Sequence, residues 1–199
     1  MSTAQSTQYD GRWRNDGGPA DVQQHSAAKC DRTRNRDFMN DAKVLSNAIL
    51  RALSGKSAHV EPGRVFSGLD WKRAGTRPKR AAHSVFQLLN HMVFWQEWVV
   101  SWLEGNKPPS TSNSWPGGVA PVNREEWQRA VRRFQSGLDH LAARSREVDL
   151  LSRRGKTSTL EMLAIVACHN SYHAGQVVTL RQILGVWPPL SGGRPRRGV

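Results

Sequence analysis

From about Ala82 to Glu104 the chain carries AHSVFQLLNHMVFWQEWVVSWLE, a stretch that reads as a helix with almost no polar side. At ~100° per residue His91, Trp95, Trp98 and Trp102 fall within an arc of about 60°, with Leu88 and Val99 alongside. Phe86, Val93, Phe94 and Val100 lie outside that arc, so the helix is apolar most of the way round. Such a helix has to be enclosed by other elements or by a second subunit. Gly105, then Pro108 and Pro109, end it.

Three further helical patterns can enclose it. The first runs from about Asp37 to Leu53, with Phe38, Val44, Leu45, Ile49, Leu50 and Leu53 at helical spacing and Ser54-Gly55 as its stop. Another runs from about Asn123, a cap candidate, to Val148, with Trp127, Val131, Phe134, Leu138 and Leu141 facing inward. The last runs from about Ser158 to Leu184, with Thr157 or Ser158 as cap and Gly185 and Pro188-Pro189 beyond. No stretch reads convincingly as a strand. The expected fold is all-α, a four-helix bundle over about residues 37–190. The connection after the first helix, about 25 residues with Pro62-Gly63, Val65-Phe66, Leu69-Asp70-Trp71 and Pro78, is long enough to cover something and to hold a short helical turn. PPSTSNSWPGGVAP reads as an exposed connector.

The ends are different in kind. Residues 1–36 hold too few apolar side chains to offset the entropy of ordering, and 191–199 are short and basic, so both are expected to be disordered. No apolar run reaches the ~18–20 residues that would cross a bilayer. MSTAQSTQYDGRWRND lacks the apolar core of a signal peptide, which makes the cytoplasm the expected location. Cys30 and Cys168 form no CxxC pair, and Cys168 reads as an ordinary buried thiol.

The formal net charge is +13. Positive side chains gather at Lys72, Arg73, Arg77, Lys79 and Arg80, at Arg153, Arg154 and Lys156, and at Arg194, Arg196 and Arg197. That balance admits a nucleic acid or an acidic small molecule as partner. No helix carries a basic stripe interleaved with aromatics, and no nucleic-acid recognition motif is present, so a solvated basic surface is the simpler account.

The residues with chemistry to offer are histidines. His169 and His173 are four apart on one helical face, and His91 lies on the inward face of another helix. Three imidazoles from two facing helices could hold one metal ion and leave an open position for water or substrate. A hydrogen-bonded network with Gln176 or Tyr172 would satisfy the same nitrogens, and the spacing leaves both readings open. The pair lacks the inserted glutamate of HExxH, which argues against a zincin. His59, His83, His140 and His25 read as structural or solvated.

HSVFQLLNHMVFWQEWVVSWLEGNKP, the loop EPGRVFSGLDWKRAGTRP, the SWPG connector and LEMLAIVACHNSYHAGQVVTLRQILGVWPP together resemble the DinB/YfiT-like superfamily over about residues 37–190. The resemblance implies a divalent ion (zinc, nickel or iron) held by one histidine of the second helix and an H-x-x-x-H pair of the last: His91, His169 and His173. It implies a metal-dependent hydrolase or an S-transferase that uses a low-molecular-weight thiol such as bacillithiol, mycothiol or glutathione, acting on a small-molecule substrate, and a homodimer. Lys72, Arg73, Arg77 and Arg80 could attract the carboxylates of such a thiol, and Tyr172, Gln176 and Asp70 are candidates for groups behind the ligands. A non-catalytic metal-binding stress protein is the alternative, with nucleic-acid association a more distant one.

Overall fold

The computed structural model of the chain describes residues 39–189, except 57 and 148. The two termini expected to be disordered, together with His25, Cys30, Phe38 and the arginines of the tail, lie outside the described residues. By Cα proximity the chain divides into two units, Met1–Asp41 and Ala42–Val199.

Helical residues 39–54 form α1. The connection after it holds a 3-10 turn, Pro62–Phe66, and a one-turn helix, α2 (Trp71–Ala74). The long helices α3 (Val85–Leu103), α4 (Arg124–Glu147) and α5 (Thr159–Ile183) follow. With α1 they make a four-helix bundle in which α3 packs on both α4 and α5.

Local sequence chemistry sets the ends. Ser84 and Ser158 each close a capping box, with Gln87 and Glu161 respectively, so α3 starts three residues later than the apolar pattern alone indicates. Asn123 caps α4 by accepting from the Glu126 amide at 2.9 Å. Gly105, at φ +80°, turns the chain out of α3 in a conformation that favours glycine. One feature escaped the strand reading: Arg153–Arg154 pairs antiparallel with Thr157–Ser158, as β1 and β2. Gly155, at φ +66°, allows the tight turn between them.

Two apolar clusters fill the bundle. One joins Ile49 and Leu53 of α1 to Val99, Leu141, Leu163 and Val166. The other joins Val65, Phe66 and Leu69 of the long connection to Leu88, Met92, Trp127, Phe134 and Val177. The connection is therefore a plug of the core as much as a cover. Phe66 meets Phe134 edge-on at 5.2 Å, and the Trp127 indole N–H donates to the Leu69 carbonyl at 3.0 Å. Magnitudes show what joins α3 to α4. Full burial of a side chain such as Phe134 or Leu141 is worth about 1.5–3 kcal/mol. The exposed Arg133–Glu97 pair, at 2.6 Å, contributes about 0–1 kcal/mol.

Arg181, on α5, has no exposed surface. Its guanidinium donates to the carbonyls of Val65 and Val186 and lies 5.0 Å from the Trp187 ring. The end of α5 is thereby tied to the 3-10 turn. Among the described residues no helix is long and apolar enough to cross a membrane.

Candidate metal centre

α3 presents His91 and α5 presents His169 and His173 to the same point. One nitrogen from each ring lies within 4.8 Å of the other two. His91 Nε2 and His169 Nε2 are 3.2 Å apart, and the His169 and His173 ring centroids are 4.4 Å apart. His91 and His173 are buried, while His169 is half-buried.

The outer nitrogens fix the tautomers. His91 Nδ1 is 2.5 Å from the Ser114 carbonyl, which can only accept, so Nδ1 carries the proton and Nε2 keeps its lone pair. His173 Nδ1 donates in the same way to Gln176 Oε1 at 2.7 Å, freeing its own Nε2. Nδ1 of His169 is buried with no partner. A single N–H between His169 and His91 satisfies one inward lone pair and leaves that of His173. A cation at the centre would satisfy all three.

All three imidazoles are held neutral, the form that ligates a metal. Burial pushes His169 down from 6.5 to about 3, and the neighbouring His173 and His91 push in the same direction. Burial likewise lowers His91 and His173, against the hydrogen bonds to Ser114 and Gln176. An imidazole whose far nitrogen is held by a carbonyl or amide oxygen is the usual arrangement behind a metal ligand. The residues present fit a divalent ion.

The connector between α3 and α4 forms a wall of this centre. The Trp115 indole stacks on His91 with centroids 3.8 Å apart and planes 10° apart, and on its other face stacks His83 at 3.8 Å and 12°. Ser84 Oγ donates to the Val119 carbonyl, which pins the strap across the start of α3. A Cβ at Gly117, which has φ +85°, would come within 3.1 Å of Asn90 Nδ2.

A family model described as the DinB superfamily matches residues 63–177. The chain belongs to the DinB superfamily. No curated protein and no solved structure gives a significant match to it. The match covers all three clustered histidines, the SWPG strap and the connection from Gly63.

Other sites named from the sequence fall into place around this DinB bundle unevenly. Gln176 stands behind His173 as expected. Tyr172 is largely exposed, its ring edge-on to His173 at 5.0 Å. Asp70 is not in the cluster: it caps α2 by accepting from the Arg73 amide at 3.0 Å. Arg77 is close enough to His83 that its charge adds to burial in lowering that imidazole. His140 pairs with Glu104 at 3.6 Å on the surface.

The His59 Nε2 atom is 2.7 Å from Ser171 Oγ, on the face of α5 turned away from the centre. Cys168 shares that face and is exposed, contrary to its reading as a buried thiol. The reason is packing: α1 leaves a groove of about 690 Å³ beside α5, and Cys168 lines it.

Sequence reasoning missed the Ser114 carbonyl, Trp115 and the stacking role of His83. The one signal was a lone tryptophan in an otherwise polar, proline- and glycine-rich connector.

Proposed function

We propose that His91, His169 and His173 ligate a single divalent ion, zinc, nickel or iron, and that the protein is a metal-dependent hydrolase or a thiol-dependent S-transferase acting on a small molecule. The observation that carries the metal site is the convergence of lone pairs. The Nε2 atoms of His91 and His173 are turned inward by acceptors on their far sides, His169 Nε2 meets that of His91 at 3.2 Å, and one nitrogen from each ring lies within 4.8 Å of the other two. Bound there, a divalent ion supplies Lewis acidity and favours the deprotonated form of an oxygen or sulfur nucleophile.

The chain's own residues divide the work. Gln176 and the Ser114 carbonyl orient two ligands and keep their tautomers. Trp115 shields the face of His91 from water. Arg77, beside His83, adds positive potential on the outer side of Trp115, which suits an anionic cofactor or substrate. A second reading, a metal-binding protein without catalysis, is favoured by one observation: among the described residues the cluster holds no carboxylate to act as general base.

Elemental analysis of the untagged full chain, wild type beside His169→Ala, tests the ligand set. Metal near one equivalent in the wild type and lost from the variant is expected. Metal-free wild type whose thermal stability does not rise with added zinc or nickel would remove the proposal.

A further inference from the structure

Three rings around the centre lie outside the two apolar clusters that fill the bundle. Trp95, Trp115 and Tyr172 belong to neither apolar cluster of the bundle, whereas Trp98 and Trp102 pack against one. Each of the three borders an imidazole. Trp115 lies on His91 and 6.2 Å from His173, Tyr172 is 5.0 Å from His173, and Trp95 is 5.9 Å from His169. Trp115 is 41% exposed and Tyr172 65% exposed. Leaving large aromatic surface in water forgoes burial energy unless a ligand covers it.

Charge narrows the ligand. The cluster contains no carboxylate, so three neutral imidazoles leave the charge of a divalent ion uncompensated. On the outer side of Trp115 stand His83 and the charge of Arg77. Organic cations would stack on the rings but meet positive potential. Aliphatic anions would satisfy the charge but leave the exposed edge of Trp115, whose two faces are taken by His91 and His83, and the exposed Tyr172 ring unused. A flat arene can meet indole and phenol rings at the 4.5–7 Å centroid spacing such pairs prefer.

We infer that this centre takes planar aromatic carboxylates, with the anion towards the three histidines and the arene against the exposed edge of Trp115 and the exposed ring of Tyr172. This deepens the metal-site reading above and rests on it. Trp115 and Tyr172 set specificity, and neither is a metal ligand.

The test is calorimetric titration of the zinc-loaded full chain with benzoate, cyclohexanecarboxylate and acetate, with zinc content measured on every sample. Cyclohexanecarboxylate matches benzoate in charge and approximate size but is not flat. Benzoate is expected to bind about tenfold more tightly than cyclohexanecarboxylate, with acetate weaker still. Tyr172→Ala should weaken benzoate about fivefold while zinc content and acetate binding stay as in the wild type. Because Tyr172 is largely exposed, that variant leaves the core untouched. Fully zinc-loaded protein that binds the two ring acids equally, or a Tyr172→Ala variant that keeps wild-type benzoate affinity, would overturn the inference and leave the metal site standing. Protein that takes up no zinc would overturn both.

Discussion

α5 buries the guanidinium of Arg181, the imidazole of His173 and part of that of His169, and the two places are built on different plans. At Arg181 the guanidinium is fully enclosed, yet it donates to two backbone carbonyls and faces the Trp187 ring. Its bonds run outward into the fold and hold it together. At His169 and His173 the outward bond exists only for His173: His169 Nδ1 is buried with no partner, its Nε2 meets His91 Nε2 at 3.2 Å, and one nitrogen from each of the three rings converges on the shared centre. Burying a polar atom without a partner costs about 1–3 kcal/mol. Arg181 Nε is also buried without a partner, so an unpaired atom alone does not mark a site; what the histidines add is three ring nitrogens converging within 4.8 Å of one another. The convergence of the ring nitrogens, more than burial itself, sets the histidines apart from Arg181.

Substitution can break that comparison. The largest effect expected is on metal: His169→Ala should abolish tight binding while changing the stability of the metal-free protein by less than about 1 kcal/mol, since loss of packing is offset by removal of an unpartnered nitrogen. Chemical denaturation of metal-stripped samples measures it. Arg181→Ala should do the reverse, costing about 3 kcal/mol through two orphaned carbonyls and a cavity while metal content stays near one equivalent. If both variants lost stability equally and neither lost metal, the histidines would be struts as well.

Smaller changes sharpen the contrast. Gln176→Leu removes the acceptor behind His173 but no ligand, so metal affinity should fall about 10–100-fold in competition with a chelator, with little change in melting temperature. A further contrast is the effect of pH on the metal-free protein. His169 is lowered from 6.5 to about 3 in the fold, mainly by burial, so between those values the unfolded chain binds the extra proton. Stability is then complete above about pH 6.5 and declines as pH falls towards 3, with His91 and His173 acting in the same direction. Melting temperature measured against pH should show that slope in the wild type and a shallower one in His169→Ala.

How much of this was legible in the sequence follows from what each feature depends on. α3 and α5 could be read because their apolar residues repeat at helical spacing, and that same period put His91, His169 and His173 on inward faces. Gln176 could be read because it lies three residues from its partner on one helix. Ser114 and Trp115 could not. They reach His91 from a connector 23 and 24 residues away that has no period, and their positions depend on how Ser84 and Gly117 fasten it. The exposure of Cys168 was equally hidden, since it depends on how closely α1 approaches α5. Arg181 falls on the inward face of α5, but nothing local to it tells that two distant carbonyls are waiting there.

The central claim is that three imidazoles, and nothing else from the chain, hold the ion. X-ray absorption on the metal-loaded full chain tests it directly. The account predicts three imidazole nitrogens at about 2.0–2.1 Å if the ion is zinc, with no sulfur. A sulfur scatterer from a cysteine of the chain, or an ion with at most one imidazole around it, would contradict it.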